Sequence, residues 1–316
     1  GGTLTTSGST LRLKGNTYLG NGGPVTFATF EPNGWGLKLT DNTTHLTLAG
    51  DVLLQPNDES WNNMTDKALD FDGSNDYVDV GDFSLGGSLT FEAWMKYDSR
   101  ATWSRVFDFS ENGGADDNIW LGLESNSGKI SFEVLLGSSK SRLSDGDGGQ
   151  TAYGQVPING TWIHVAATIS GTAGTTNGTG KLYVNGNLVG TKTNMYVPAM
   201  KTRNRQYLGK SNWNGDSYLD AKMDEFRIWN YVRSQSEILA TMNNTLTGSE
   251  SGLVAYYKMN DGSGTSLADS SSNSNTATLN NMTDADWVVS GVGPAPESVD
   301  VAMHNLDDDT DVTVAV

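Results

Sequence analysis

The feature that most constrains the fold is a repeated alternation of apolar and polar residues in short runs that end near Gly, Asn or Asp. Successive side chains of a β-strand point to opposite faces, so each run predicts a strand with one buried face. One run ends at Asn185-Gly186, a strong hairpin signal because both turn positions favour a positive φ. The chain is therefore predicted to be all-β, a two-sheet antiparallel sandwich. The runs lie at 68–71, 89–95, 120–123, 130–134, 162–168 and 181–184.

A single segment has the spacing of a helix. Ser234 is a typical N-cap residue, and Glu237 follows three positions later, as in a capping box. Ile238 and Met242 then recur on one helical face. We expect one short helix over residues 234–243 in an otherwise β-rich chain.

The chain divides into three parts. Residues 1–57 contain very short alternating runs and predict a small N-terminal β-rich extension, either the end of a β-solenoid or edge strands of the main domain. Residues 58–291 form the predicted sandwich, and residues 292–316 are expected to be a linker and the start of a further domain. The sequence Asn-Asn-Met-Thr-Asp occurs at 62–66 and again at 280–284, which favours a parent protein with such domains in tandem.

The charge balance argues against several partners. The 316 residues include 20 Lys and Arg against 37 Asp and Glu, a formal net charge of −17. Nucleic acids and anionic membrane surfaces attract cationic proteins, so neither is an expected partner. No apolar run approaches the length of a membrane helix, so membrane insertion is not expected. Because the sequence has no Cys, it also excludes disulfides, thiolate metal sites and cysteine nucleophiles.

Five segments follow one another in a characteristic order: residues 68–78, 91–94, 162–166, 182–186 and 223–230. Together they resemble the laminin-G-like family, with its pentraxin-type and concanavalin A-like jelly rolls, and residues 252–259 are similar to the family's terminal strand. The resemblance covers about residues 60–290 and implies a jelly-roll sandwich. It also implies a non-catalytic recognition module, because such modules occur in bacterial surface proteins, adhesins and polysaccharide-degrading enzymes, where they bind glycans or glycoproteins. A fold alone does not fix a function, so the sites need their own argument.

Calcium is the expected cofactor. This ion takes carboxylate, amide and carbonyl oxygens, often from loops, and Asp72, Asn75 and Asp76 lie in one Gly-containing turn. The resemblance implies that Asp224, in a late strand, belongs to a structural calcium site with backbone oxygens of the early strands. The alternative is that Asp72 and Asp76 only form a turn and that Asp224 is a solvated strand residue.

A ligand site is expected where acidic and aromatic loops meet at the rim of a sheet. One loop ends in Asp-Asp-Asn, and loops that hold residues 145–147 and 212–216 are expected to face it. The resemblance implies that such loops can hold a calcium ion that bridges to a ligand, although the acidic pattern of pentraxins is absent. Solvated acidic loops are the alternative. The candidate ligand-binding residues are Trp103, Asp116, Asp117, Asn118, Asn212, Trp213 and Asp216.

Aromatic rings in polar loops are candidates for stacking on the apolar face of a sugar. Trp103 and Trp213 lie in such loops, as do Tyr153 and Tyr196. The alternative for the two tryptophans is that they close the end of the sandwich. Four other tryptophans fall on strand positions and are predicted to lie in the core: Trp94, Trp120, Trp162 and Trp229.

The sequence does not predict an enzyme. Some hydrolases of this fold carry a Glu-x-Asp-x-x-Glu strand that supplies an acid and a nucleophile, but Glu92 and Glu133 each stand alone here. The three His residues are far apart in the chain, and His164 lies inside a strand pattern, where a structural role is expected.

The expected function is calcium-stabilised binding of a glycan or glycoprotein by a lectin-like module of a large secreted adhesin. It would act as a monomeric unit of a multidomain chain, outside the cell or at its surface. Two alternatives remain, a carbohydrate-binding module of a secreted polysaccharide-degrading enzyme and a structural spacer without a ligand. An exposed Trp beside acidic loops would argue against the spacer.

Overall fold

The computed structural model describes residues 66–290 and 292, together with the backbone of six short strands between residues 11 and 48. The chain divides into two compact units, one of Gly1–Thr65 with Ala295–Val316 and one of Asp66–Pro294. The expected linker and further domain at 292–316 lie outside the described residues except for Val292. The same holds for the first copy of the five-residue repeat except for Asp66.

The smaller unit contains three pairs of parallel strands. Each of the first three strands pairs with the third strand after it, and paired residues are roughly twenty positions apart in the chain. Parallel pairing at such a constant separation is typical of successive coils of a β-solenoid, one of the two organisations expected here. The strands are β1 (Leu11–Leu13), β2 (Tyr18–Leu19), β3 (Val25–Phe27), β4 (Phe30–Pro32), β5 (Lys38–Leu39) and β6 (Leu46–Leu48).

The larger unit is an antiparallel β-sandwich, as predicted. It begins with β7 (Lys67–Asp72), β8 (Tyr77–Asp79), β9 (Phe83–Leu85), β10 (Leu89–Tyr97), β11 (Arg105–Ser110), β12 (Ile119–Leu123), β13 (Ile130–Leu136), β14 (Ser139–Ser144) and β15 (Ile163–Ser170). It continues with β16 (Gly178–Val184), β17 (Asn187–Met195), β18 (Lys201–Arg203), β19 (Arg205–Leu208), β20 (Asp220–Trp229), α1 (Gln235–Thr241), β21 (Leu253–Tyr257), β22 (Ser266–Leu267), β23 (Ala277–Asn280) and β24 (Trp287–Val289).

Two eight-stranded sheets make the layers. The back sheet has the order β17-β16-β15-β10-β20-β7-β24, and β21 also pairs with β20. The front sheet has the order β14-β13-β12-β11-β19-β8-β23-β22. Strands β9 and β18 form a separate two-stranded sheet. Many neighbours in these sheets are far apart in sequence, which is typical of a jelly roll.

The core lies between the two sheets and is built from the apolar positions of the alternating runs. Phe91 of the back sheet stacks on Phe107 of the front sheet, with ring centroids 4.3 Å apart. Phe109, Phe132 and Phe226 are equally buried around this pair. Aromatic side chains bury large apolar areas, so this cluster accounts for much of the attraction between the layers.

The predicted hairpin and helix are both confirmed. Asn185 and Gly186 have φ values of 49° and 72° and join β16 to β17. Ser234 caps α1: its hydroxyl accepts from the Glu237 N–H, and the Glu237 carboxylate accepts from the Ser234 N–H at 2.7 Å. Within the described part of the chain, no helix is long and apolar enough to cross a membrane.

The prediction that four strand tryptophans lie in the core is confirmed for burial at Trp120 and Trp229 and is wrong for Trp94 and Trp162, and none of the four belongs to the cluster between the sheets. Trp94 and Trp162 are half-buried on the outer face of the back sheet, and their indole N–H groups donate to the carbonyl oxygens of Met242 and Ser290. Trp229 packs in a small separate cluster, and Trp120 lies on the outer face of the front sheet. Successive side chains of a strand point to opposite faces of the sheet. Each Trp is next to a residue whose side chain enters the core between the sheets, so the Trp itself points to the other face.

Candidate functional site

A pocket lies on the outer face of the front sheet. Trp120 of β12 pairs with Glu133 of β13, and Glu133 pairs with Arg142 of β14, so the three side chains stand in one row. The pocket above this row has a volume of about 230 Å³. It is lined by Trp103, Arg105, Ala115, Trp120, Glu133, Leu135, Ser138, Lys140, Arg142, Trp213 and Asp216.

The floor of the pocket is a buried arginine stacked on a buried tryptophan. The guanidinium carbon of Arg105 lies 3.9 Å from the centroid of the Trp120 ring, and both side chains are almost fully buried. Desolvated cation–π contacts of this kind stabilise a structure by about 2 kcal/mol. The Trp120 ring is therefore held in place and is not itself exposed to a ligand.

Glu133 and Arg142 complete the floor. The Trp120 indole N–H donates to Glu133 Oε1 at 3.0 Å, and Arg142 Nε donates to Glu133 Oε2 at 2.8 Å. Arg142 Nη1 also lies 3.4 Å from Glu124 Oε1. Because each Glu133 oxygen accepts a hydrogen bond, the carboxylate fixes the ring and the guanidinium relative to each other.

Two half-buried tryptophans form the walls. The rings of Trp103 and Trp213 lie 5.8 Å and 5.5 Å from the Arg105 guanidinium carbon, so they flank this cation. Trp103 has a φ of 57°, and Arg105 Nη1 donates to its carbonyl oxygen at 2.8 Å, which holds this uncommon backbone conformation. The pocket therefore presents two aromatic rings to solvent on a rigid support.

Asp216 joins the second wall to the floor. Its Oδ2 accepts from Arg105 Nη2 at 2.8 Å and from the Ser211 hydroxyl at 2.7 Å, and Ser211 in turn accepts from the Trp213 N–H. The structure thus brings together three of the predicted ligand-binding residues, Trp103, Trp213 and Asp216.

Two other predicted residues point into the protein. Asn118 Nδ2 donates to Asp108 Oδ1 at 2.8 Å. The Asn212 backbone N–H donates to Asp108 Oδ2 at 3.0 Å, and the Asn212 side-chain Nδ2 donates to the Asp108 carbonyl oxygen at 3.0 Å. Asp108 is fully buried, and burial raises its pKa although Arg105 acts in the opposite direction. The side chains of Asn118 and Asn212 therefore connect their loops to the front sheet and do not line the pocket.

A lysine side chain forms ion pairs with the predicted acidic loop. Oxygens of Glu111, Asp116 and Asp117 lie within 4.8 Å of one another, but Lys201 Nζ donates to Glu111 at 2.6 Å and to Asp117 at 2.7 Å. Burial alone would raise the pKa of Asp117, yet the bonds from Lys201 and from the Gly137 N–H lower it. Asp116 accepts from Asn112 at 2.7 Å. The Lys201 ammonium group thus forms ion pairs with two of the three carboxylates of this cluster.

The predicted metal ligands fall into two separate places. Asp72 Oδ1 accepts from the Ser74 and Asn75 N–H groups, and Asp76 accepts from the Asp72 N–H at 3.1 Å, contacts that are typical of turn-forming residues. Burial and the nearby charge of Asp72 raise the pKa of Asp76 to about 6. Asp224 lies apart, because Asp72 pairs with Asp220, four positions earlier on β20 and about 13 Å away.

Asp224 is a buried carboxyl group with hard oxygen neighbours. It contacts the Ser290 hydroxyl and accepts from the Glu225 N–H at 2.7 Å. Burial, followed by repulsion from Asp66 and Glu225, raises its pKa to about 9, and no described Lys or Arg forms an ion pair with it. Carboxylate oxygens are ligands that calcium prefers, and the carboxyl groups of Asp66 and Glu225 lie near Asp224, so the donor set fits this ion.

The sequence analysis missed most of the floor. Arg105, Glu133, Lys140 and Arg142 were not candidates, and Trp120 was assigned to the core. A signal was present for Trp120, since the run Ile-Trp-Leu at 119–121 places the ring on the face opposite its two apolar neighbours.

Solved structures with a similar fold include a Bacteroides ovatus protein to which carbohydrate binding is ascribed. It is 18% identical, has a TM-score of 0.46, and the alignment covers 71% of this chain and 61% of that one. A heptameric SAP-like pentraxin from Limulus polyphemus is 15% identical over 55% of this chain and 81% of that one, with a TM-score of 0.41. Domain 4 of a Geobacillus stearothermophilus extracellular arabinanase, solved with arabinotriose, is 21% identical over 55% and 75%, with a TM-score of 0.42.

Comparison with curated protein sequences gives no match to the chain. A family model does match, over residues 72–239, which is more than half of the sequence. The matched segment runs from the end of β7 into α1 and contains every residue that lines the pocket. The resemblance seen in the sequence is confirmed: the chain belongs to the laminin-G-type concanavalin A-like lectin/glucanases superfamily.

Proposed function

We propose that this protein binds a glycan, free or on a glycoprotein, through the pocket on the front sheet. The observation that carries the proposal is the pair of half-buried tryptophans, Trp103 and Trp213, held on either side of Arg105. A sugar can place its apolar face on such a ring, while Asp216, Ser138 and Lys140 at the rim supply partners for its hydroxyl groups. The volume of about 230 Å³ suits one sugar residue or the end of a chain.

The pocket is proposed to bind without catalysis. Its two carboxylates, Glu133 and Asp216, both accept hydrogen bonds from arginine side chains. A glycosidase needs one carboxyl group that stays protonated near neutral pH and a second that acts as nucleophile or base. Both carboxylates of this pocket are used to hold arginine side chains, which supports a lectin-like function.

Replacing Trp213 by Ala is expected to weaken glycan binding about 30-fold, because stacking on a Trp face contributes on the order of 2 kcal/mol. A glycan array identifies a ligand, and isothermal titration then compares the wild type with Trp213→Ala. Tyr153→Ala is the matched control, because Tyr153 is an exposed ring outside the pocket. Equal losses in both variants would contradict the assignment of binding to this pocket, and a folded wild type that binds no glycan would contradict the proposal and leave a spacer.

We further propose that the module acts in a secreted, multidomain adhesin, as a monomeric unit outside the cell. The repeated Asn-Asn-Met-Thr-Asp sequence and the paired parallel strands of the smaller unit support a chain built from repeats. The net charge of −17 supports solubility at a surface and argues against nucleic acid as a ligand.

Calcium is proposed to bind at Asp224. Asp224 would supply a carboxylate oxygen, and Asp66 and Ser290 lie beside it to supply others. The ion would neutralise the acidic groups that now repel one another and would join β20 to the backbone around Ser290, whose N–H donates to the Asp66 carbonyl oxygen. Its role would be structural, because none of these residues lines the pocket.

Calcium is expected to stabilise the wild type by about 2.7 kcal/mol at 100 times its dissociation constant. Thermal unfolding with calcium and with chelator measures this difference. Asp224→Asn should remove it, because an amide is a weaker calcium ligand, whereas Asp72→Asn should retain it. An Asp72→Asn variant that loses the calcium effect, with Asp224→Asn unchanged, would move the site to the turn at residues 72–76.

A further inference from the structure

The cations at the pocket differ in whether a carboxylate neutralises them. The lining includes three cations, Arg105, Lys140 and Arg142, and two anions, Glu133 and Asp216. Two further carboxylates, Asp108 and Glu124, lie just outside the lining and pair with the arginines. In a chain that carries −17, a cation without such a partner is a feature that a ligand can use.

The cation of the lining that has no carboxylate partner is Lys140. Arg105 is paired with Asp216 at 2.8 Å and lies 3.7 Å from Asp108, and Arg142 is paired with Glu133 at 2.8 Å and Glu124 at 3.4 Å, so carboxylates neutralise both arginines. Lys140 is exposed at the mouth of the pocket, and no described carboxylate lies within salt-bridge distance of it. Its partner across the hairpin is Leu135, which has no charge.

Lys140 stands beside a second cationic group. It lies two positions from Arg142 on β14, so both side chains point to the same face of the strand. Arg142 uses Nε for Glu133 and Nη1 for Glu124, and no described residue accepts a bond from its Nη2. An ammonium and a guanidinium group therefore stand on the same face of β14 at the pocket, and the Trp103 ring lies 4.7 Å from the Arg142 guanidinium carbon.

We propose that the sugar taken by this pocket is an acidic one, a hexuronic acid or another carboxylated residue. Its ring lies against Trp103 or Trp213, and its carboxylate accepts from Lys140 and Arg142. This inference rests on the proposed glycan binding and specifies the class of glycan. A neutral sugar could use the same rings but would leave the Lys140 charge without a partner.

The expected preference follows from the interaction of one ion pair in water. Two unit charges at about 4 Å attract by about 1 kcal/mol at the dielectric constant of water, which corresponds to roughly fivefold tighter binding of the acidic sugar. Because Lys140 is exposed, salt should reduce this preference as the Debye length falls from about 10 Å at 0.1 M to about 3 Å at 1 M.

The test uses oligosaccharides of equal length that differ only at C6, such as oligogalacturonate and the corresponding galactose oligomer, and likewise oligoglucuronate and the glucose oligomer. Isothermal titration at 0.1 M and 1 M salt gives the affinities of the wild type. Lys140→Ala should remove the preference, so that the affinities for the acidic and the neutral member of a pair become equal within twofold. Lys192→Ala is the matched control, since Lys192 lies on β17 of the back sheet.

The possible results distinguish the acidic-sugar proposal from the glycan-binding proposal. A preference that Lys140→Ala abolishes and Lys192→Ala retains supports the proposal. Equal binding of acidic and neutral members would overturn the proposal and leave glycan binding intact. A preference that survives in Lys140→Ala would overturn the assignment to this side chain. If neither member of either pair binds, while another neutral glycan found on the array does, the acidic class is wrong; if no glycan binds, both proposals fail.

Discussion

Replacing Arg105 by Ala is expected to destabilise the domain by about 3–5 kcal/mol and to abolish ligand binding. The buried guanidinium interacts with both walls and the floor of the pocket: it donates to the Trp103 carbonyl oxygen and to Asp216, and it stacks on Trp120. Its Nε also lies 3.7 Å from the buried carboxylate of Asp108. Without the cation, two carboxylates would be left in a largely desolvated place, and neither tryptophan wall would be fixed.

Urea unfolding and titration with the identified glycan measure the two effects. Arg205→Ala is the matched control, because Arg205 is an exposed arginine on β19 that forms no ion pair with a described residue. Arg105→Lys separates charge from shape: one ammonium cannot replace a planar group that donates in two directions, so stability should return only in part and binding should stay weak. A stable, binding-competent Arg105→Ala variant would contradict this account of the pocket.

The sequence was sufficient to predict the layers of the fold. Alternating runs identified β10, β12, β13, β15 and β16, because a strand with one face in the core must repeat every two residues. The same rule, applied to single residues, would have placed Trp120 outside the core. The mistake arose from treating a large aromatic residue in a strand as a core residue whatever its position in the alternation.

The site was predicted only in part, for a different reason. Trp103, Trp213 and Asp216 could be proposed because loops rich in Gly and Asn expose such residues. Arg105 could not, since its role depends on which strands lie together, and Asp216 comes from a loop more than 100 residues away. Asn118 and Asn212 show the same limit, because both meet at Asp108, which the sequence does not reveal. Long-range pairing decides these contacts.

The back sheet carries a second buried charge network, and here Glu92→Gln is expected to reduce stability by about 3 kcal/mol at pH 7. Glu92 is fully buried on β10, where Arg233 Nη1 donates to its Oε1 at 2.6 Å and His164 Nε2 lies 3.5 Å from its Oε2. Arg233 also donates to the Glu237 carbonyl oxygen and the Thr241 hydroxyl. The carboxylate therefore holds the arginine that attaches α1 to the sheet.

The effect should depend on pH in a defined direction. Burial alone would raise the pKa of Glu92, but His164, Arg233 and Arg227 lower it from 4.5 to about 2. A carboxyl group whose pKa is lower in the folded state stabilises that state above its unfolded pKa, and this contribution is lost as the pH falls through the folded pKa. The contribution of the Glu92 charge to the difference between wild type and Glu92→Gln should be fully present at pH 7 and should shrink from pH 4.5 towards 2.

Urea unfolding at pH 7, 4 and 3 measures this trend. Glu124→Gln is the control, because Glu124 is partly exposed and its pair with Arg142 is long, at 3.4 Å; it should cost at most about 1 kcal/mol. A Glu92→Gln difference as large at pH 3 as at pH 7 would show that the carboxylate charge is not what stabilises the fold. The stability difference would then come from hydrogen bonds that the Glu92 side chain forms without its charge. Arg233 would hold α1 without an ion pair to Glu92.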